Sequence, residues 1–368
     1  MKRGMRVGLV TTGFPRFEGD CSGAFVLTVA RGLVEQGHRV RVLAPEPRRG
    51  GSAPRWPGIE VRWVPYARPR PLQRSFYGSG APDNLRLRPT RWLGAAAFTA
   101  ALYRASRREL ADCDSLLSSW CIPSGWVASK TAEGRPHLCL CHATDVRWLS
   151  KMPGGRSVAR DIADGASAMW FLSEALRDRF LETAEIDSDR VRSHLGPMPI
   201  ETPRDLDEPR PALRRRLGIE GFTLLFLGRL VPVKGLAELL HAIAAFPRPV
   251  SVRIAGDGPD RRKLRALARG LRVDAVFEGW VAGERKEALL RACDAIVVPS
   301  RPLDGLPTVL FEAQARALPI IATDAAAIPA RMRSHPQVEL VPANDRAALR
   351  QAILRVHDRS AAEPSLRA

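Results

Sequence analysis

Residues 222–255 read FTLLFLGRLVPVKGLAELLHAIAAFPRPVSVRIA, and this stretch decides the fold class. An apolar run of strand length, Phe222 to Leu227, leads through a glycine-containing turn into an amphipathic stretch, Leu236 to Phe246. A second apolar run begins at Ser251. Two strands joined by a helix with short connections predict a βαβ unit, in which the two strands are parallel.

The same alternation extends in both directions from this unit. Further strands are predicted at residues 5–12, 39–44, 59–65, 115–120, 137–142 and 168–172, and then at 275–280, 295–299, 320–323 and 338–341. A stretch with five prolines, residues 196–211, interrupts the pattern, because proline lacks the amide donor that helices and central strands need. A chain of 368 residues is also longer than one core usually supports.

We therefore predict an α/β protein with two doubly wound, Rossmann-like domains, residues 1–200 and 201–368, facing each other across a cleft. Ligands of such sheets bind outside the carboxyl ends of the parallel strands.

Basic residues exceed acidic ones, 57 against 39, which gives a net charge of +18. Such a charge favours anionic partners, namely nucleic acid, anionic membrane or phosphorylated ligands. The sequence contains no helix-turn-helix, zinc-finger or aromatic RNA-binding signature, so nucleic acid is not the expected partner. Arginines in the first half are interleaved with Trp56, Trp63, Phe76 and Trp92, a composition that suits a peripheral membrane contact. A solvated basic face without a partner remains the alternative.

The sequence also predicts where the protein works. It contains no apolar run of 18 residues and begins without a signal peptide, so a cytoplasmic location is expected. The basic and aromatic composition is compatible with a peripheral position at the inner face of the plasma membrane. The six cysteines form no pairing pattern. Cys139 and Cys141 face the same side of a predicted strand. A metal site there is conceivable, but no second Cys/His pair accompanies them, which favours two small buried side chains.

Residues 299–312, PSRPLDGLPTVLFE, carry the first candidate site. Asp304 lies in a loop after a strand, and Pro307 is expected in the first turn of a helix. The amides of residues 308–310 would then be free at the helix start, which is an anion-binding arrangement. Glu312 would lie one turn further. Taken alone, this pattern favours a helix cap beside an exposed acid over a binding site.

A second cluster lies at the carboxyl end of strand 222–227. Gly228 and Arg229 follow this strand directly, and Lys234 precedes the next helix. Because the carboxyl ends of parallel strands share one edge of the sheet, both cations are expected near residue 304. Two cations there would bind a diphosphate and stabilise it as a leaving group.

Several segments together resemble glycosyltransferase family 4, retaining enzymes of the GT-B fold. In the second half these are GRLVPVKG, IAGDGPDRRKL, FEGWV, PSRPLDGLPTVLFEAQA and LPIIAT. In the first half they are TTGFPRFEGDCSGAFV, GHRVRVLAP, SSWCIPSGWVAS and CHATD. The resemblance covers nearly the whole chain, and the ordered set is more specific than any single motif.

This resemblance implies roles for individual residues. Arg229 and Lys234 would bind the donor diphosphate, Asp304 would hold hydroxyls of the transferred sugar, and Glu312 would bind the ribose. His142 would lie near the transferring sugar. Gly23 would keep the N-terminal loop close to the reaction centre. The remaining donor contacts are expected from Gly228, from Gly279, Trp280 and Val281 near the base, and from the backbone of Leu306, Pro307, Thr308 and Val309.

The implied reaction transfers a sugar from a UDP- or GDP-linked donor to a lipid-linked, polysaccharide or small-molecule acceptor, with retention of configuration. No metal or other cofactor is expected, because the two cations and a helix dipole supply the positive charge. Some positions depart from the family pattern. Asp304 replaces a glutamate, Ala317 replaces a glycine, and the histidines that usually precede Trp120 are absent. A non-catalytic nucleotide-sugar-binding or scaffolding subunit is therefore the alternative function, and a basic nucleic-acid-binding protein is a third.

Overall fold

The computed structural model divides into two compact units, Met1–Pro199 and Ile200–Ala368. It describes residues 4–17, 20, 22–47, 56–77, 81, 84–85, 90–198, 200, 205–302, 307–324, 328 and 330–362. Each unit is built on its own parallel sheet. The predicted pair of doubly wound α/β sheets is thereby confirmed.

The sheet of the first unit has seven strands among the described residues, in the order β3-β2-β1-β4-β5-β6-β7. All of its strand pairs are parallel. The strands are β1 (Arg6–Thr11), β2 (Arg39–Pro45), β3 (Ile59–Val64), β4 (Ser115–Ser119), β5 (His137–Cys141), β6 (Ala168–Phe171) and β7 (Ser193–Leu195). The sequence did not predict β7, because this short edge strand carries a polar, partly exposed SHL segment rather than an apolar run.

Helices connect these strands. They are α1 (Ala24–Glu35), α2 (Arg91–Glu109), α3 (Trp126–Thr131), α4 (Ala143–Leu149), α5 (Gly155–Gly165) and α6 (Glu174–Ala184), with short 3₁₀ turns at Arg70–Leu72 and Ser188–Arg190. The largest fully buried side chains include Phe14, Phe98, Phe171 and Phe180. Parallel strands covered on both faces are expected to be apolar throughout, and β1 is buried from its second residue onward.

The second unit contains six parallel strands within the described part of the chain, in the order β10-β9-β8-β11-β12-β13. They are β8 (Thr223–Leu227), β9 (Ser251–Ala255), β10 (Asp274–Gly279), β11 (Ala295–Val298), β12 (Ile320–Thr323) and β13 (Val338–Val341). The helices are α7 (Arg210–Leu217), α8 (Leu236–Ala244), α9 (Arg261–Gly270), α10 (Gly283–Ala292), α11 (Val309–Gln314), α12 (Ala330–Arg333) and α13 (Arg346–Ala362), with a 3₁₀ turn at Pro232–Lys234.

The loops at the carboxyl edge of the second sheet are in direct backbone contact. The amide of Gly228 donates to Ala255 O (3.0 Å), and the amide of Gly256 donates to Gly279 O (2.6 Å). A Cβ atom at Gly256 would lie 1.8 Å from Gly228 O, and one at Gly235 would lie 1.8 Å from Pro299 O. Gly235 also adopts φ 68°, a left-handed conformation that favours glycine. The positions of these loops therefore depend on glycine.

We predict that Gly235→Ala destabilises the protein. The added Cβ atom would overlap Pro299 O, and the positive φ adds strain of about 1–3 kcal/mol. Gly270→Ala is the matched control in the same unit, since a Cβ atom there has no neighbour within 4 Å. Chemical denaturation should separate the two variants, with Gly270→Ala close to the parent protein. Equal stability of the two variants would contradict the packing argument.

Candidate active site

Arg229 and Lys234 lie in the loop that follows β8, at the carboxyl edge of the sheet. The backbone amides on either side of Arg229 donate to the next loop, from Gly228 to Ala255 O and from Leu230 to Asp257 O (3.0 and 2.9 Å). Arg229 itself is exposed, and Lys234 is half-buried. A Cβ atom at Gly228 would lie 4.0 Å from Cδ of Lys234, so the lysine side chain passes close to Gly228. Both cations thus belong to one well-fixed loop.

Glu312 is buried, although the sequence pattern alone favoured an exposed acid. The Nζ atom of Lys286 lies 3.2 Å from its Oε2 atom, and the two side chains are only 13% and 10% exposed. Among the described residues, no group donates a well-oriented hydrogen bond to Oε2. A buried carboxylate oxygen without a hydrogen bond has unused acceptor capacity, and such atoms are rare in folded proteins.

A second buried ion pair lies beside the first. Arg316 donates from Nε to Glu287 Oε1 (2.8 Å) and from Nη2 to Glu287 Oε2 (2.5 Å), a bidentate arrangement. It also donates from Nη1 to the backbone carbonyl of Glu312 (2.8 Å). The first pair connects α10 to α11, and the second connects α10 to the turn just after α11, which ends at Gln314.

The segment expected to contact the base lies close to this cluster. Gly279 ends β10 with φ 73°, Trp280 is half-buried, and Val281 is buried. Lys286 follows Val281 by five residues on α10. Glu312, the predicted ribose-binding acid, thus contacts a residue five positions along the chain from the predicted base-binding segment.

The segment before Glu312 differs in part from the prediction. Helix α11 begins at Val309, so Pro307 and Thr308 precede it rather than form its first turn. The amide of Leu310 donates to Pro307 O (3.2 Å), so it is not free for an anion as expected. The reason is that Pro307 starts a tight turn before the helix. Asp304 and Leu306 lie outside the described residues.

Ala317, which replaces a glycine of the family pattern, keeps a glycine-like backbone. Its φ is 51°, and the adjacent amide of Leu318 donates to Ala313 O (3.0 Å). This is the usual left-handed end of a helix, a position that strongly favours glycine. The alanine therefore introduces strain without changing the path of the chain into β12.

In the first unit, His142 lies at the end of β5 among aromatic rings. Its ring centroid is 5.0 Å from that of Phe25 and 5.0 Å from that of Trp120. Its Nε2 atom is 3.1 Å from Ser119 Oγ. Burial lowers the pKa of His142 to about 4, so the imidazole is neutral at pH 7.

Asp145 fixes the backbone around His142. Its carboxylate accepts hydrogen bonds from the amides of His142 (3.0 Å) and Val146 (2.9 Å), and from the amide of Cys121. Burial raises the pKa of Asp145 to about 7, although these backbone hydrogen bonds act in the opposite direction. The carboxylate thus joins the start of α4 to the turn that follows Trp120, which has φ 71°.

Gly23 is required by the protein's own backbone. A Cβ atom there would lie 2.2 Å from Gly13 O, and its φ is 70°. The residue precedes α1, whose first turn carries Phe25. Gly23 therefore allows the close approach that places the Phe25 ring against His142. This reason is structural and differs from the predicted obstruction of the reaction centre.

The sequence did not predict Lys286 as a site residue. It also did not predict that Asp145 accepts hydrogen bonds from three backbone amides. Lysine is rare in this chain, and one placed at the start of the helix after the FEGWV motif was an available signal. Asp145 stands in the CHATD segment, but its three amide partners include a residue 24 positions away in sequence, which no local pattern indicates.

Comparison with known proteins agrees with this geometry. Residues 22–194 match the model of the glycosyl transferase 4-like domain, and residues 221–359 match that of the glycosyl transferases group 1. The chain is 30% identical over 349 residues to the GDP-mannose-dependent alpha-(1-6)-phosphatidylinositol monomannoside mannosyltransferase of Mycobacterium tuberculosis, covering 88% of this chain and 82% of the relative. The chain belongs to glycosyltransferase family 4. It is therefore a nucleotide-sugar-dependent glycosyltransferase.

Other relatives extend the comparison. This glycosyltransferase is 26% identical over 370 residues to the putative teichuronic acid biosynthesis glycosyltransferase TuaC of Bacillus subtilis, covering 95% of this chain and 89% of that one. Its fold is similar to that of Anabaena HepE in complex with UDP, with a TM-score of 0.67, 17% identity and coverage of 99% and 92% of the two chains. The predicted GT-B fold and glycosyltransferase activity are confirmed.

The low pKa of His142 leads to a prediction. Between pH 5 and pH 8 the imidazole of His142 should show no titration, because burial disfavours the charged ring, whereas exposed histidines titrate near about 6.5. Proton–carbon NMR of histidine-labelled protein measures this directly, and a His142→Gln variant assigns the signal. A midpoint near 6.5 for His142 would refute the neutral state at pH 7.

Proposed function

We propose that this glycosyltransferase transfers mannose from GDP-mannose to an acceptor carried by an anionic lipid, with retention of the anomeric configuration. The second unit binds the donor, and the first unit binds the acceptor. The relatives named as GDP-mannose-dependent mannosyltransferases support this choice of donor. The name of one of them, which includes phosphatidylinositol monomannoside, supports the choice of acceptor.

The observation that carries the proposal is the carboxylate of Glu312. Its Oε2 atom is buried beside Lys286 and accepts no well-oriented hydrogen bond from the described residues. A ribose hydroxyl of the donor would hydrogen-bond to this carboxylate, which Lys286 holds in place. Hydrogen bonds to charged groups contribute about 1.5–3 kcal/mol, so this contact would contribute substantially to nucleotide binding.

Arg229 and Lys234 would supply the positive charge for the leaving group. During transfer the bond between C1 of the sugar and the diphosphate oxygen breaks, and negative charge develops on the diphosphate. Cations on a fixed loop stabilise this charge without reorganising during the reaction. The bond from the acceptor oxygen to C1 forms on the same face, and the acceptor proton passes to a phosphate oxygen of the donor.

In the first unit, His142 offers a neutral imidazole surrounded by aromatic rings. Its hydrogen bonding partners are Ser119 and, we propose, a hydroxyl of the transferred sugar. Sugars bind well against aromatic rings that leave their hydroxyls free to reach polar groups. Asp304 and the backbone of residues 306–309 complete the proposed donor contacts.

A membrane contact is proposed for the surface formed by Trp92, Leu93 and Trp148. Trp92 and Leu93 are 48% and 76% exposed, and the rings of Trp92 and Trp148 stack with their centroids 5.3 Å apart. Arg104 and Arg108, further along α2, are exposed. Aromatic and apolar side chains beside basic ones are typical of interfacial binding to anionic lipid. Among the described residues, no helix has the length and apolarity needed to cross a membrane.

We predict that Glu312→Gln and Lys234→Met both reduce transfer from GDP-mannose. Glu312→Gln should lower kcat/KM about 10- to 100-fold, the loss of one hydrogen bond to a charged group. Lys234→Met should lower kcat about 100- to 1,000-fold, as removal of a group that stabilises developing charge does. The measurement is release of GDP in the presence of a lipid extract as acceptor.

Lys263→Met is the control, because Lys263 is exposed on α9 and should leave transfer unchanged. A thermal-shift panel of GDP-mannose, UDP-glucose and ADP-glucose tests the donor separately. Stabilisation by GDP-mannose alone agrees with the proposal, and stabilisation by UDP-glucose alone would overturn the choice of donor. Full activity of both site variants would overturn the assignment of the site.

The membrane contact has its own test. The double variant Trp92→Ser/Leu93→Ser should bind vesicles of phosphatidylglycerol and phosphatidylcholine several-fold more weakly, because it removes the apolar side chains that enter the interface. Val276→Ser, an exposed apolar residue of the second unit, is the control. Sedimentation with vesicles measures both variants. Equal binding by the two variants, or binding of the parent protein to duplex DNA and not to vesicles, would contradict the proposal.

A further inference from the structure

Three cysteines of the first unit form a buried cluster, which we call the thiol cluster. It consists of Cys121, Cys139 and Cys141, each with no exposed surface. Their sulfur atoms all lie within 4.8 Å of one another. Cys139 and Cys141 share one face of β5, as the sequence predicts, and Cys121 comes from the turn that follows β4. The pair that looked isolated in sequence thus has a third ligand in space.

The spacing of these sulfur atoms suits a thiophilic metal ion. Zinc binds thiolates at about 2.3 Å, so three thiolates around one ion lie roughly 4 Å apart. The observed sulfur atoms, which lie within 4.8 Å of one another, are close to this separation. Soft sulfur ligands select zinc and copper(I) over magnesium and calcium. A carboxylate is also close, since Asp145 accepts the amide of Cys121.

The surroundings leave little room for larger side chains at this place. A Cβ atom at Gly125 would lie 2.8 Å from Sγ of Cys139, so glycine is required beside the sulfur. The amide of Gly125 donates to Trp120 O (2.9 Å). The cluster is therefore enclosed by the turn 120–125 on one side and by β5 on the other.

We propose that Cys121, Cys139 and Cys141 supply three of the four ligands of a structural site for zinc. The ion would join the turn 120–125 to the end of β5. Trp120 directly precedes one ligand, and His142 directly follows another. A bulky residue at positive φ such as Trp120 (71°) persists only where the surroundings hold it. The ion would supply such a restraint beneath the aromatic rings that surround His142.

The test is the metal content of the whole protein produced in medium supplemented with zinc. Elemental analysis of the purified chain should find about one equivalent of zinc, as for other structural sites. Cys139→Val should lose it, whereas Cys293→Val should keep it, because Cys293 is an equally buried cysteine of the second unit. Absence of zinc from the parent protein, or full retention in Cys139→Val, would overturn the proposal.

Cobalt gives an independent readout, because its absorption in the parent protein does not require that any variant folds. Parent protein produced with cobalt in place of zinc should show a thiolate-to-cobalt charge-transfer absorption in the near ultraviolet, and Cys141→Ser should weaken it. A chelator present during thermal unfolding should lower the Tm of the parent protein more than that of Cys139→Val, because metal binding contributes to folding. A cobalt protein without this absorption would refute sulfur ligation even if metal is present.

Discussion

The proposed donor side of this enzyme depends on backbone contacts that only glycine permits. The loop from Gly228 to Gly235 touches the neighbouring loops through Gly256 and Pro299, at distances where any Cβ atom would overlap a carbonyl oxygen. Arg229 and Lys234 are carried by that loop. Their backbone is therefore fixed before any ligand binds, which is the condition under which charges stabilise a leaving group most effectively. The glycines allow these close contacts, and the contacts restrict the motion of the loop backbone.

The buried ion pairs next to these loops matter more for the position of the charged side chains than for the stability of the fold. A buried ion pair gains little net stability, because the cost of removing both charges from water offsets their attraction. Lys286 with Glu312, and Arg316 with Glu287, nevertheless connect α10 at short distances to α11 and to the turn just after it. The carboxylate of Glu312 is thereby held in place, and its Oε2 atom accepts no well-oriented hydrogen bond from the described residues. An enzyme that must recognise a hydroxyl benefits from this arrangement, since an analogue without the hydroxyl leaves the oxygen unsatisfied.

The sequence was sufficient for the architecture because strand and helix periodicities are local, and parallel strands bring their carboxyl ends to one edge. It was sufficient in the same way for placing Arg229 and Lys234 together. Contacts between distant segments carry no such local pattern. Lys286 with Glu312 and Cys121 with Cys139 are pairs of this kind. The tight turn at Pro307 was missed for a different reason, since a proline suits the first turn of a helix and the turn before it almost equally well.

The neutral and the charged groups of the candidate site lie in different units. His142 is neutral at pH 7, because burial among Phe25 and Trp120 lowers its pKa to about 4. In the proposed reaction the neutral imidazole would not compensate the negative charge of the departing diphosphate, and Arg229 and Lys234 of the second unit would do so. A neutral imidazole can instead exchange hydrogen bonds with uncharged hydroxyls, whereas a charged imidazolium would also attract phosphate. The contrast between the neutral, aromatic surroundings of His142 in the first unit and the cations of the second unit follows from the lowered pKa of one histidine and the exposure of one arginine.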